Sequence, residues 1–188
     1  MTLSVLGLLV VLLYLAFRPA ATDGHRMSAP SLPAQFIKAA VGPAQASERE
    51  YGVPTSVALA QAILESNWAQ SELTREGNAY FGIKCGKDNG KYATGCLKKP
   101  TSECQPDGTC TKVIDSFRTY ATATDSFRDH GLFLASNDRY AKAFLYSANP
   151  DQFSREIALA GYATDPGYAD KLIALMTKFN LYQYNNPK

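Results

Sequence analysis

Val57-Ala58-Leu59-Ala60-Gln61-Ala62-Ile63-Leu64-Glu65 carries only two polar side chains, Gln61 and Glu65. On a helix, residues four apart lie on one face, one turn above the other. The other side chains of the run are apolar, so a helix here is hydrophobic nearly all round and belongs in a core. Pro54 suits the start of such a helix, which the pattern extends to about Asn67. A carboxylate at the end of a buried helix needs an ion-pair partner, such as Arg75, or a cleft to face. In a cleft with apolar walls, desolvation disfavours the charged form and raises the pKa. The carboxyl then keeps a proton that it can give to a leaving oxygen.

Outward from this helix the pattern is again helical. Phe36, Ile37, Ala40, Val41 and Ala44 recur at helical spacing between Pro33 and about Tyr51, with Gly42-Pro43 placed to kink the run and Gly52 to end it. From Tyr80 to Tyr120 the character changes: five glycines, all four cysteines and β-prone runs such as residues 111 to 114 predict a small β-rich lobe or hairpin. Thr122, with Asp125 three residues on, predicts a capped helix through Leu134, followed by a shorter one over residues 139 to 146. Asn149-Pro150 opens a helix that Gly161 closes. Asp165-Pro166 opens the last, to about Asn180, with Asp165 expected to cap it. The expected fold is α+β, mainly helical with one small β insertion.

The chain has 188 residues, 46% of them hydrophobic and 19% charged, with a formal net charge of +2. That composition fits a folded domain and excludes extensive disorder. No Lys/Arg cluster or stripe appears, which argues against nucleic acid as a partner. Met1 to Phe17 is almost wholly apolar. As a helix it reaches about 25 Å, the short limit for a membrane span. No basic residue precedes it and no small-residue cleavage site follows, so a retained anchor over residues 1–18 is favoured over a cleaved signal peptide. Pro19 to Pro33 holds three prolines and no periodicity, and residues 19–32 read as a flexible linker to a domain over residues 33–188.

Cys85, Cys96, Cys104 and Cys110 lie close together, and none of their spacings is that of a zinc knuckle. Disulfides are the expected state. Cys104 and Cys110 flank Gln105-Pro106-Asp107-Gly108, a strong turn signal, which favours the pairs Cys85–Cys96 and Cys104–Cys110; the other two connectivities stay open. Any disulfide places the domain outside the cytoplasm, against the topology that Arg18 and Arg26 would give by the positive-inside rule.

Gln61-Ala62-Ile63-Leu64-Glu65-Ser66-Asn67-Trp68, followed by Asn78-Ala79-Tyr80-Phe81-Gly82-Ile83-Lys84, resembles the signature of the glucosaminidase domain of glycoside hydrolase family 73. That domain occurs in bacterial autolysins and in the flagellar peptidoglycan hydrolase. Phe117-Arg118-Thr119-Tyr120, Asp138-Arg139-Tyr140 and the block from Ala160 through Asp165-Pro166 to Tyr168 are similar to further family blocks in the same order. The match runs from about Pro33 to Tyr184. It implies a lysozyme-like domain that cuts the β-1,4 bond between N-acetylglucosamine and N-acetylmuramic acid in peptidoglycan, an endo-β-N-acetylglucosaminidase without cofactor or metal.

Carried over by residue, the resemblance makes Glu65 the catalytic acid. It places a second carboxylate on the hairpin at Thr101-Ser102-Glu103, with Glu103 the first choice and Asp115 and Asp129 the alternatives. It makes Tyr162 the active-site tyrosine and Tyr168 a second candidate. Gln61, Asn78, Tyr80, Phe81 and Tyr168 are expected to bind the glycan, although aromatic residues are more often core; Trp68 is assigned to packing. The expected partners are peptidoglycan strands, and the membrane through residues 1–18, in a bacterial envelope or a membrane-containing phage virion. The rival readings are a lytic transglycosylase, which also uses Glu followed by Ser on a buried helix, a muramidase, and a wall-binding module without activity.

Overall fold

The structure is a computed structural model that describes residues 31–87, 89–104 and 110–186, with the backbone alone for residues 102–104 and 110. The expected anchor and nearly all of the linker lie outside these residues. Among those described, no helix is long and apolar enough to cross a membrane.

The apolar stretch is the central helix. α1 (Leu32–Tyr51) precedes α2 (Thr55–Ser66), with α3 (Glu72–Gly77) after it. Val57, Ala58, Leu59, Ala60, Ala62 and Ile63 of α2 are all buried, as a helix apolar on every side requires. Around it stand α1, α6 (Pro150–Leu159), α7 (Tyr168–Lys178) and the 3-10 turn Leu181–Tyr184. Between the two helical groups come β1 (Gly95–Cys104), β2 (Cys110–Thr119), α4 (Ala123–Ala135), a 3-10 turn Asp138–Tyr140 and α5 (Ala141–Phe144).

The local signals were mostly sufficient. Thr122 Oγ1 accepts from the Asp125 N–H and donates to the Asp125 carboxylate, a reciprocal cap for α4. Asn149 accepts from the Gln152 N–H at the start of α6, and Gly161, at φ 77°, follows its end. α1 continues through Gly42-Pro43 without a break, with Phe36, Ala40 and Ala44 on either side held in the core. One expectation fails. The last helix starts at Tyr168, not at Pro166: Asp165 accepts from the Gly167 N–H in a turn upstream and pairs with Lys171, so it closes that turn instead of capping the helix.

The cap of α2 comes from elsewhere in the chain. Pro54 offers no side-chain acceptor, and Glu48 of α1, buried, fills the place. Its Oε2 accepts from the Thr55 N–H at 3.2 Å, the Thr55 hydroxyl at 2.6 Å and Asn186. A negative charge at a helix N-terminus is favourable, and here it also ties the C-terminal segment to the core.

The β lobe is one antiparallel hairpin, in register from Gly95↔Thr119 to Cys104↔Cys110. Its base is widened by residues 83–85, where the Arg118 N–H donates to the Ile83 carbonyl and the Cys85 N–H to that of Ser116. The expected Cys85–Cys96 disulfide is present and pins this segment to β1. Cys104 and Cys110 stand opposite each other in the register, the placement the second expected pair needs. Lys99 of β1 ties the hairpin to α3 through Glu72 and Glu76, at 2.9 Å each.

α1 packs against α4, and at Gly131 a Cβ would stand 2.8 Å from Tyr51 Cδ2 and still nearer to Ser47 Oγ. Gly131→Ala is expected to destabilise the protein by about 1–3 kcal/mol through overpacking. This outweighs the roughly 1 kcal/mol that alanine gains over glycine inside a helix. Thermal denaturation checks it, and an unchanged or higher midpoint would refute the packing account.

Candidate active site

Glu65 sits where α2 leaves the core: Ile63 is buried, Leu64 and Glu65 are exposed. The helix ends abruptly because Asn67, Trp68 and Ala69 all take left-handed backbone angles, with φ of 48°, 59° and 62°. Such conformations are costly for residues with a Cβ and persist only where surrounding bonds hold them. Ser66 supplies those bonds. Its buried hydroxyl donates to the Ala62 carbonyl and accepts from the Ala69 N–H, while the Trp68 N–H reaches back to the Ile63 carbonyl. Trp68 packs edge-on against Phe36 and Phe179, the packing role expected of it. The Glu-Ser pair thus places the carboxylate and braces the turn that exposes it.

Among the described residues Glu65 pairs with no basic side chain, and Arg75 is not its partner. Its Oε1 accepts from the Tyr168 hydroxyl at 3.1 Å, and that hydroxyl accepts from Gln61 Nε2 at 3.0 Å. Gln61 is fully buried beneath Tyr168 and makes no wall of the cleft. It shares a helix face with Glu65 as the four-residue spacing requires, yet it supports the tyrosine and leaves substrate contact to others. Tyr162 stacks on Tyr168, ring centroids 5.5 Å apart and planes 24° from parallel. The open side of the cleft keeps Glu65 in contact with water, but its inner side is desolvated. That partial burial raises its pKa above the ordinary carboxylate value, and the Tyr168 hydrogen bond only partly offsets the rise. Burial, with Tyr162 and Glu65 nearby, raises the Tyr168 hydroxyl, and burial raises Tyr162 well above its ordinary value, so both remain protonated donors near neutral pH.

The cleft holds about 470 Å³ and is lined by Glu65, Phe81, Gly82, Ile83, Lys84, Arg118, Phe133, Tyr140, Tyr162 and Ala163. Its apolar walls come from α4, the segment after α3 and the loop after α6; its two cations come from the hairpin side. Lys84 pairs with Asp115 at 2.6 Å. Arg118 pairs at 3.0 Å with Asp129, which is buried and also accepts from the Tyr120 hydroxyl. Both alternative carboxylates are therefore held in ion pairs. Glu103 stands opposite Thr111 next to the last pair of the hairpin register. The structure describes its backbone only.

Of the expected glycan binders, Phe81 lines the cleft. Tyr168 lies behind it, and Tyr80 packs against Phe36 and Phe127. Asn78 is elsewhere: in a left-handed conformation at the end of α3, it donates to the carbonyls of Tyr120 and Ala121 and so joins α3 to the strand β2 leaves. Ile83, Lys84, Arg118, Phe133, Tyr140 and Ala163 are cleft residues that sequence reasoning did not single out. All of these except Phe133 lie within the blocks that carry the family resemblance, and that was the available signal. His130 gave none. It is fully buried, stacked on Phe81 with centroids 3.9 Å apart and edge-on to Tyr162, and neither ring nitrogen has a hydrogen-bond partner among the described residues.

A model of the family described as mannosyl-glycoprotein endo-beta-N-acetylglucosaminidase matches residues 41–181. The chain is 35% identical over 153 residues to the peptidoglycan hydrolase FlgJ of Pseudomonas aeruginosa, covering 79% of this chain and 37% of that protein. It is 36% identical over 154 residues to the exo-glucosaminidase LytG of Bacillus subtilis, covering 80% and 52%. The chain therefore spans between a third and a little over half of these relatives. Among solved structures, the catalytic domain of the Listeria monocytogenes autolysin Auto superposes with a TM-score of 0.70 at 27% identity, covering 98% of this chain and 99% of that one. A truncated glycoside hydrolase domain of Salmonella typhimurium FlgJ gives 0.62 at 33% identity, covering 78% and 96%.

Burial pushes the His130 pKa down from 6.5 to about 3. Between these values the unfolded chain carries a proton on this residue that the folded chain lacks, so stability rises with pH. The contribution is complete above about 6.5 and is lost as pH falls towards 3, with a slope of up to about 1.4 kcal/mol per pH unit. His130→Leu is expected to flatten the acid side of stability measured by urea denaturation. Parallel pH profiles for the two proteins would contradict it.

Proposed function

The chain belongs to the glucosaminidase family, and from that premise we propose that it is a peptidoglycan hydrolase, an endo-β-N-acetylglucosaminidase acting outside the cytoplasm. The bond cut is the β-1,4 link between N-acetylglucosamine and N-acetylmuramic acid. Residues 33–188 are its catalytic domain and residues 1–18 its membrane tether. The observation that carries this reading is Glu65: a carboxyl with a raised pKa and no cationic partner among the described residues, hydrogen-bonded to a tyrosine, in a largely apolar cleft of about 470 Å³.

Glu65 gives its proton to the bridging oxygen as positive charge develops at C1 of the N-acetylglucosamine, and the muramic acid residue leaves as an alcohol. Tyr162, whose hydroxyl makes no hydrogen bond among the described residues, donates to the sugar at the cut bond, and Phe81 stacks on a ring face. Asp115 and Asp129 are neutralised by Lys84 and Arg118, which favours Glu103 as the second carboxylate. It takes a proton from the attacking water, and the product forms with inversion at C1. The Cys85–Cys96 bridge and Lys99 brace the hairpin that carries it; positioning within a fraction of an ångström matters for such chemistry.

Mass spectrometry of digested peptidoglycan tests bond and residue together. The wild type is expected to release fragments with reducing-end N-acetylglucosamine, and Glu65→Gln to be slower by a factor on the order of a hundred or more with its fold intact. Reducing-end muramic acid would mean a muramidase and 1,6-anhydro-muramic ends a lytic transglycosylase. Binding without cleavage, unchanged in Glu65→Gln, would mean a wall-binding module.

Because the acid must be protonated to act, the rate falls as pH rises through the Glu65 pKa. Tyr168→Phe removes the bond that lowers this pKa. The falling limb of the pH–rate profile is therefore expected to move to higher pH. A limb that stays in place, or moves down, would remove Glu65 from the role of acid.

A further inference from the structure

A second concavity opens beside the cleft. It holds about 430 Å³ between α6, α7 and the loop that joins them, and Ala163 lines both. Its floor is apolar: Ala158, Leu159, Ala163, Pro166 and Ala169, with Leu159 79% exposed. Its rim is charged. Arg155 is exposed and in no ion pair among the described residues, Asp170 likewise, while Asp165 is bound to Lys171. An arginine, a free carboxylate and a methyl-sized apolar floor form a site for a short, small-residue peptide bearing both signs of charge. The neighbouring loop residue Tyr162 stacks on Tyr168, the partner of Glu65. The groove therefore begins one residue from the wall at which the bond is cut.

We propose that this groove binds the stem peptide of the muramic acid residue next to the cut bond, an inference that rests on the peptidoglycan reading above. In that polymer each muramic acid carries, through its lactyl ether, a peptide built from alanines, a glutamyl unit with a carboxylate and commonly a diamino acid. The lactyl group projects sideways from the glycan, so a peptide on the sugar beside Glu65 leaves the cleft laterally. The alanine methyls lie on the Ala158–Leu159–Ala163–Ala169 floor, Arg155 takes a peptide carboxylate, and Asp170 takes the side-chain ammonium of the diamino acid. The groove makes the enzyme prefer peptide-bearing strands to bare glycan, with the discrimination residing in binding and not in the chemical step.

The test is binding of a soluble muramyl peptide, and of N-acetylmuramic acid alone, to the full chain and to its Arg155→Glu and Asp170→Lys variants, by calorimetry. The muramyl peptide is expected to bind on the order of fivefold or more tightly than the bare sugar, the scale of one or two solvent-exposed ion pairs. Either variant should abolish that preference while leaving the affinity for the bare sugar unchanged. Arg155 and Asp170 are exposed, and thermal denaturation of the variants verifies their fold. Equal affinity for the two ligands, or a preference that survives both variants, overturns the proposal. Cleavage of intact peptidoglycan is scored separately. Its absence with the binding preference intact would count against the hydrolase reading and leave the peptide groove standing.

Discussion

The enclosure of α2 is the constraint on which the rest of the structure depends. A helix with no polar face cannot lie on a surface, so α1, α6, α7 and the final 3-10 turn are arranged around it. The only carboxylate in that run, Glu65, falls in the last turn, where the helix emerges. The environment of the carboxyl follows from this. Burial raises its pKa, and the neutral donor it meets, Tyr168, is itself buried and keeps its proton. A lysine or arginine in that position would have held the carboxyl ionised.

The site is assembled from parts with unequal support. The helical side is built on buried side chains and a backbone turn of three left-handed residues held by Ser66. The hairpin side has little core of its own and is fixed by discrete links: a disulfide, ion pairs from Lys99, and the Arg118–Asp129–Tyr120 cluster rooted in α4. A two-stranded hairpin is marginal alone, and these links give it a defined position over the cleft. His130, placed under Phe81 and beside Tyr162 without polar partners among the described residues, serves as a flat neutral spacer between these two rings of the cleft wall. Burial keeps it uncharged at neutral pH.

The sequence by itself determined most of the elements and singled out Glu65 as the carboxylate at the end of the buried helix. Apolar runs, Asn149, Thr122, Gly52 and Gly161 act through neighbours within a few residues, and such local rules can be read without coordinates. The four-residue spacing of Gln61 and Glu65 and the turn between Cys104 and Cys110 are legible for the same reason. Tertiary structure decided what depends on distant partners. Gln61 faces Tyr168, more than a hundred residues away, and so supports where it was expected to bind. Glu48 caps a helix to which it does not belong, and Pro43 is carried through a helix by packing on both sides. Asp115 and Asp129 became ion-pair partners only when Lys84 and Arg118 were brought beside them. The peptide groove, made by two helices meeting at a loop, has no trace in any single stretch of chain. Side chains declare their own polarity in the sequence, but which of them meet is fixed only by the closure of the core around α2.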